Sequence, residues 1–294
     1  MKKRIQNLVL IFAVILFVYS CSDDDNGIST KSLTLNISGL EDLGTDFVYE
    51  GWIIVNSVPV STGTFTSIAD SQTFVIESSL LDAATRFVLS IEPAGETGTA
   101  AATPSDTKLM VGDFSGDMAP LSIGTVGDFD SISPSGAFFL RTPTDETGTN
   151  NGNDQNGIWF GNAAMPPTPG FTLPTLNAGW KYEGWVVVDG VGPLSTGTFT
   201  AFDIPDDSST FGGGQNTGPQ IPGEDFLMNP PTGFAFPLDL RGRTVVISVE
   251  PSPDNAASPF LLKPLVGTAG QDTAPTNYAL DFSNASFPSG SVSR

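Results

Sequence analysis

Four glutamates are the residues best suited by type and setting to acid–base work: Glu50 and Glu183, each inside Tyr-Glu-Gly-Trp, and Glu92 and Glu250, each followed by proline. Two carboxyl groups flanking a sugar support glycoside hydrolysis at a separation of about 5–5.5 Å for retention or about 6.5–9.5 Å for inversion. All four, however, lie in segments that recur. A group repeated in two copies fits a scaffold more simply than one asymmetric active site, and the partners expected for such a scaffold are backbone groups or Arg86, Lys181 and Arg243. Aromatic faces stack on the apolar faces of sugar rings. Trp52 and Trp185 share a strand face with Ile54 and Val187 and read as core; Trp159 and Trp180, near loops, are the candidate ligand contacts.

The loop from Asp145 to Asp154 offers the oxygen ligands that Ca²⁺ prefers. It lacks the EF-hand spacing with a bidentate acid at the twelfth position, so it reads as a solvated hairpin loop, as does the cluster Asp203, Asp206, Asp207. The chain has no histidine and one cysteine. That composition excludes a Ser-His-Asp triad, a histidine-ligated metal, a zinc cluster and an internal disulfide. Without histidine, the many Ser and Thr hydroxyls show no evident activating base. The expectation is a protein that is not an enzyme, with no cofactor and no metal. With 12 basic against 32 acidic residues the net charge is −20, so the surface repels phosphate and no nucleic-acid partner is expected.

The one cysteine is placed informatively. Lys2, Lys3 and Arg4 precede an apolar run from Leu8 to Val18, and Ser20-Cys21 is followed by Ser22-Asp23-Asp24-Asp25. The run is shorter than the roughly 20 residues that span a bilayer, and residues 1–20 read as a signal peptide. A small residue directly before Cys21 resembles the lipobox of bacterial lipoproteins, and Ser-Asp-Asp-Asp is similar to the acidic export tag of Bacteroidetes surface lipoproteins. The resemblance implies cleavage before Cys21, diacylation of Cys21 and attachment to a membrane through lipid alone. The expected location is the outer membrane, at the cell surface or facing the periplasm. Residues 21–31 read as a flexible tether. Loss of residues 1–20 removes three basic residues and no acid, leaving a net charge of −23.

The elements that position these residues are legible from a repeat. Tyr49–Val55 followed by Ser61-Thr62-Gly63-Thr64-Phe65-Thr66 returns as Tyr182–Val188 followed by Ser195-Thr196-Gly197-Thr198-Phe199-Thr200; Phe87–Pro93 returns as Val245–Pro251, and Leu109–Gly112 is echoed by Pro264–Gly267. β-Branched and aromatic residues in short runs separated by turn residues specify strands. The first two blocks of each copy form a hairpin, and strands are also expected at Leu33–Ile37 and Thr73–Ile76, with one helical turn near Ser79–Thr85. The predicted fold is all-β, two tandem related β-sandwich-like units from an internal duplication. The first is expected over 32–165, closed by a hairpin of 136–143 with 157–160. The second is expected over 166–294, with residues 201–242, rich in Gly and Pro, as a long insertion loop rather than a second core.

At these motifs the chain resembles the extracytoplasmic C-terminal domain of anti-sigma-K factors. The Tyr-Glu-Gly-Trp strand, the Ser-Thr-Gly-Thr-Phe strand and the run Ser90-Ile91-Glu92-Pro93-Ala94-Gly95 carry the likeness, which extends over about two thirds of the chain. It implies an outward-facing β module. The family's cytoplasmic sigma-binding domain and transmembrane helix have no counterpart before this segment, so sigma sequestration does not transfer. The expected function is a non-catalytic cell-envelope lipoprotein acting as a binding, sensory or structural module toward a protein or glycan ligand. The alternative is a carbohydrate-binding or carbohydrate-hydrolysing lipoprotein. A groove with a carboxylate pair and an aromatic wall favours the alternative; flat sandwich faces favour the first.

Overall fold

The computed structural model describes residues 28–146, 152–253 and 256–294, and the chain is all-β within them. Seven strands come first: β1 (Thr30–Ser38), β2 (Phe47–Val55), β3 (Val58–Phe65), β4 (Ser71–Glu77), β5 (Arg86–Pro93), β6 (Lys108–Asp113) and β7 (Met118–Leu121). Then follow β8 (Gly136–Leu140), β9 (Gly157–Trp159), β10 (Gly161–Asn162), β11 (Thr168–Pro169), β12 (Trp180–Val188), β13 (Gly192–Phe199) and β14 (Gly223–Asp225). The last are β15 (Thr244–Pro251), β16 (Leu262–Thr268), β17 (Tyr278–Phe282) and β18 (Ser289–Ser293). The one α-helix among the described residues is a short turn, α1 (Ser78–Ala83), at the predicted place.

The first unit packs the sheet β3-β2-β5-β6 against the sheet β4-β1-β18-β7. Leu33, Leu35 and Ile37 of β1 alternate inward to meet Tyr49, Ile53, Phe87 and Leu89, as the period of two requires. The second unit is one antiparallel sheet of eight strands, β13-β12-β15-β16-β17-β8-β9-β14, curled until its two edge strands approach each other.

The repeated motifs adopt the same geometry twice. In β2–β3, Tyr49 stands opposite Phe65, with a bulge between Gly51 and Trp52; in β12–β13, Tyr182 stands opposite Phe199, with a bulge between Gly184 and Trp185. Glycine is required in Tyr-Glu-Gly-Trp because an aromatic ring lies against it. A Cβ on Gly51 would meet Thr62 Oγ1 at 2.4 Å and the Phe87 ring at 3.1 Å; on Gly184 it would meet the Phe160 ring and Thr196 Oγ1, both at 2.4 Å. Tyr49 donates its hydroxyl to the carbonyl of Glu41 eight residues back, and Tyr182 does the same to Pro174.

Two features depart from the sequence expectation. The hairpin of Gly136–Leu140 with Gly157–Trp159, expected to close the first unit, belongs to the second: β8 pairs with β17 and β9 pairs with β14. In the opposite sense β18, from the end of the second stretch, lies between β1 and β7 of the first unit, with Leu35 opposite Val292. The sheets therefore do not divide at 165. The physical reason is non-local. Val292 supplies the fully buried residue that the sheet needs between Leu35 and Ala119, and no pattern within 32–165 shows that this place is open. The insertion 201–242 is also more than a loop. It lacks ladder partners except at β14, yet Phe226, Leu238 and Leu240 are buried in the main core, and Phe211, Phe226 and Phe236 pack on one another at 5.3–5.8 Å.

Candidate functional site

The four repeated glutamates are buried on the strands that carry them. Ser61 donates to Glu50 and Ser195 to Glu183; Ser90 donates to Glu92 and Ser248 to Glu250. The indole of Trp52 donates to Ser90 at 2.9 Å and that of Trp185 to Ser248 at 2.7 Å. Backbone N–H groups complete each set, Ser105 N to Glu92 and Phe260 N to Glu250, both at 2.9 Å. Burial is the main cause that raises the pKa of Glu50, with the bond from Ser61 opposing it. The basic groups expected as partners bond elsewhere as follows: Arg86 to Asp113, Lys181 to Asp207, and Arg243 to the carbonyl of Asp239. These clusters bind Trp to Ser to Glu within each sheet.

A different group of acids converges where the curled sheet fails to close. Asp207 sits against β13: its N–H donates to Thr198 O at 3.0 Å, and its carboxylate accepts from Thr198 N at 2.7 Å and from Lys181 at 3.1 Å. Asp206 turns the other way, accepting from Gly223 N of β14 at 2.8 Å and from Ser208 N at 3.3 Å. Beside them Glu224 accepts from Phe211 N and Asp225 N. Asp225 accepts from the Trp159 indole at 2.9 Å and from Thr144, by N–H at 2.9 Å and hydroxyl at 2.5 Å. The Thr144 hydroxyl in turn accepts from Gly213 N at 2.7 Å. The six oxygens of Asp206, Glu224 and Asp225 each already accept a hydrogen bond.

Burial dominates the electrostatics here. Loss of water pushes Asp206 up to about 8, with Glu224 and Asp207 nearby adding repulsion and the Gly223 and Ser208 bonds opposing. Burial likewise pushes Glu224 up to about 7 and Asp225 up to about 6, in the latter case against the bonds from Thr144 and Trp159. For Asp207 burial pulls upward too, but the Thr198 and Lys181 bonds outweigh it and hold the group below its ordinary value. The expectation of a solvated cluster is thus corrected for Asp206, which lies partly buried between the insertion backbone and β14; Asp207, though bonded to β13, stays exposed, as does Asp203.

These residues wall a cleft of about 310 Å³ between the insertion and β9–β14. Its lining combines Thr144, Ser208, Ser209, Asn216 and Thr217 with Asp206, Glu224, Trp159 and two prolines; no lysine or arginine is among them. Trp159 and Trp180, the candidate ligand contacts, are both buried, at 4% and 3%. Trp159 is a cleft wall whose ring edge lies under Gly218, because its indole N–H is drawn inward to Asp225. Trp180 packs on Phe260 with its ring centroid 5.9 Å away, at the junction of the units. Trp52 and Trp185 are each 1% exposed, yet the face they share with half-buried Ile54 and Val187 is turned away from the core that Tyr49, Ile53, Tyr182 and Val186 enter, so the expected core face is corrected while the burial stands.

Cys21 lies outside the described residues, as do positions 147–151 of the acidic loop. The described part of that loop is not solvated: Asp154 is buried and accepts from Thr142 N at 3.1 Å, because the loop folds back over β8. Among the described residues no group of three or more His, Cys, Asp or Glu is placed to hold a metal ion. One spacing passed over in the sequence, Ser105-Asp106-Thr107-Lys108, is that of a serine–lysine nucleophile pair. Here Lys108 donates to the Ser105 carbonyl at 2.6 Å and the Ser105 hydroxyl donates to Ile91 O at 2.8 Å, so the lysine does not serve as a base for the hydroxyl. Glu224 and Asp225 were also missed. The signal was present in two consecutive acids set between Ile221-Pro222 and Phe226-Leu227, an apolar frame unusual for a solvated loop. No family model, no curated protein and no solved structure matches the chain.

Proposed function

We propose that this chain is a lipid-anchored, non-catalytic binding protein of the cell envelope, whose cleft beneath the insertion takes a neutral, hydroxyl-rich ligand of the carbohydrate class. The resemblance to anti-sigma-factor outer domains supplies the envelope setting and the β scaffold. One observation carries the ligand class: the lining of the cleft pairs hydroxyl and amide groups with a tryptophan and two protonatable carboxyls, without a basic side chain. A phosphate or carboxylate ligand would meet no cation there. With its pKa raised to about 8 by burial, Asp206 is mostly protonated at neutral pH and offers an O–H as well as a lone pair, the complement that a sugar hydroxyl requires. Against catalysis stands the engagement of the carboxyl oxygens, which hold the insertion backbone in place.

The test is titration of the purified mature chain with neutral oligosaccharides, alongside Asn216→Ala and Thr217→Ala. Saturable binding that these variants weaken at unchanged thermal stability supports the reading. Equal binding by wild type and both variants, or binding of no neutral glycan, overturns it. Hydrolysis of the bound glycan, abolished by Glu224→Gln in a folded protein, would establish the carbohydrate-hydrolysing alternative. The anchor is tested separately: Cys21→Ala is expected to release the protein from the membrane fraction, and wild type to incorporate labelled fatty acid.

A further inference from the structure

We propose that the end of the first unit at which β1 begins is a membrane-docking surface, resting on phospholipid beside the anchor. The inference depends on the reading that Cys21 carries lipid, and it adds a second contact to that attachment.

Seven residue steps separate Cys21 from Ile28, where the described chain begins. At about 3.3–3.6 Å per residue their reach is at most about 25 Å, whatever their conformation. If Cys21 carries lipid, this end of the unit is therefore held within about 25 Å of the bilayer, close enough for its surface to rest on it. Register shows what gathers there. Thr30 of β1 stands opposite Glu77 of β4, and Ser29 bonds Ser78 at the start of α1. The turn between β2 and β3 reaches the same end, since Thr85 N, just after α1, donates to Ile54 O. Phe114 N donates to Thr85 O and Arg294 to Gly116 O, so the turn leading into β7 reaches this end too, with Met118 itself level with Thr34 in the middle of β1.

Around this end large apolar side chains stand in water. Ile28 is 72% exposed, Val75 70%, Val58 59% and Met118 52%. The other exposed large hydrophobic of this unit, Ile68, lies in the connection before β4 begins at Ser71, toward the opposite end. Single exposed apolar residues are ordinary, but four around one end of a small sandwich form a patch that water disfavours.

Charge supports the same face. The chain as a whole is strongly acidic, which sets it against an anionic bilayer. At this end three basic residues, Lys31, Arg86 and Arg294, stand against four acidic ones, Glu77, Asp82, Asp113 and Asp117. Lys31 pairs with Asp82 at 2.5 Å and Arg86 with Asp113 at 2.6 Å, while Arg294 donates to the carbonyls of Leu81 and Ala84. With a small net negative charge on a body whose net charge is −20, this apolar-studded end repels an anionic lipid surface less than the rest of the chain does. A second copy of the chain is the rival occupant.

The four native tryptophans are buried, so an added one reports the surface. The mature chain carrying Val58→Trp or Met118→Trp is coupled through the Cys21 thiol to a maleimide-headgroup lipid. It is then placed on phosphatidylethanolamine–phosphatidylglycerol vesicles with and without brominated acyl chains. Val191→Trp, in the turn between β12 and β13 of the second unit, is the control. The expected result is loss of added-tryptophan emission on brominated vesicles at 58 and 118 and none at 191. Equal emission on both vesicle types at 58 and 118 overturns the proposal, as does equal quenching at 191. So does emission that changes with protein density on the membrane but not with bromine, which would assign the face to a second copy. Because the lipid is supplied synthetically, failure of docking is separate from failure of Cys21 to be acylated in the cell.

Discussion

Asp206 and Asp207 are neighbours in sequence but attach to opposite edges of one sheet, Asp206 to Gly223 of β14 and Asp207 to Thr198 of β13. An eight-stranded sheet that curls without closing leaves two rows of unpaired backbone groups facing each other. The peptide between these two aspartates spans the gap, and their carboxyls accept the N–H groups that a neighbouring strand would otherwise have taken.

The seam makes stability depend on pH in a defined direction. Asp206, Glu224 and Asp225 all have folded-state pKa values above those of the unfolded chain, raised first by burial to about 8, about 7 and about 6. The folded state therefore binds more protons, its advantage is complete below about pH 4, and it declines as pH rises through 6 to 8. Thermal unfolding of wild type is expected to show a Tm that falls between pH 5 and pH 9. Asp206→Asn keeps the amide oxygen as an acceptor without the ionisable proton and is expected to flatten the upper part of that fall. A Tm that rises over this range would refute the assignment.

Asp207 responds in the opposite sense. Its carboxylate is held ionised by Thr198 and Lys181, and it accepts the Thr198 N–H at 2.7 Å. Asp207→Ala removes that acceptor at an exposed position where water can take its place, an expected loss of about 0.5–1.5 kcal/mol. Hydrogen exchange at Thr198 is the direct measurement, and it is expected to accelerate while exchange at Ile247 in the sheet centre changes less.

The paired Trp–Ser–Glu clusters predict matched losses. Ser90→Ala removes the acceptor of the Trp52 indole and a donor to Glu92; Ser248→Ala does the same for Trp185 and Glu250. Each is expected to cost about 1–3 kcal/mol, read by denaturant unfolding. A large loss in one and none in the other would show that the two clusters, though alike in geometry, do not hold their sheets alike.

Beyond its two ladders, the last strand is pinned at its end by one side chain. Arg294 donates to Leu81 O at 2.6 Å and Ala84 O at 2.7 Å, and its guanidinium lies 4.4 Å from the centre of the Phe114 ring. Arg294→Ala is expected to destabilise by about 1–3 kcal/mol. Deletion of residues 289–294 is expected to abolish cooperative unfolding of the first unit while β12–β13 and β15–β16 keep slow exchange.

How much of this was legible in the sequence divides along the range of the interactions. Strands β1 to β5, the hairpin after Tyr-Glu-Gly-Trp and the turn of helix at Ser78–Ala83 follow from local residue types and from the period of two, and they appear where expected. Burial of Trp52 and Trp185 does not follow from that period, which puts them on the face away from Tyr49 and Tyr182; there each indole bonds a serine of the neighbouring strand. The pairing of Leu35 with Val292 does not follow either, since Ser-Gly-Ser-Val-Ser carries a single apolar residue and nothing in it names its partner. The seam was hidden for a related reason. Asp203, Asp206 and Asp207 look alike as a run of acids, and only the arrival of Gly223 on one side and Thr198 on the other gives Asp206 and Asp207 their backbone partners, Asp206 partly buried and Asp207 exposed.

The position of β18 also sets an order of events during synthesis. A ribosome delivers β1 first and β18 last, and the two become neighbours only after more than 250 intervening residues have emerged. Until then β1 can pair on its β4 side alone, and the flank that faces the missing strand remains an open template. An expression fragment cut where the repeat suggests a boundary would keep that flank open permanently. A fragment in which residues 289–293 are joined ahead of Thr30 by a short linker would close it at once.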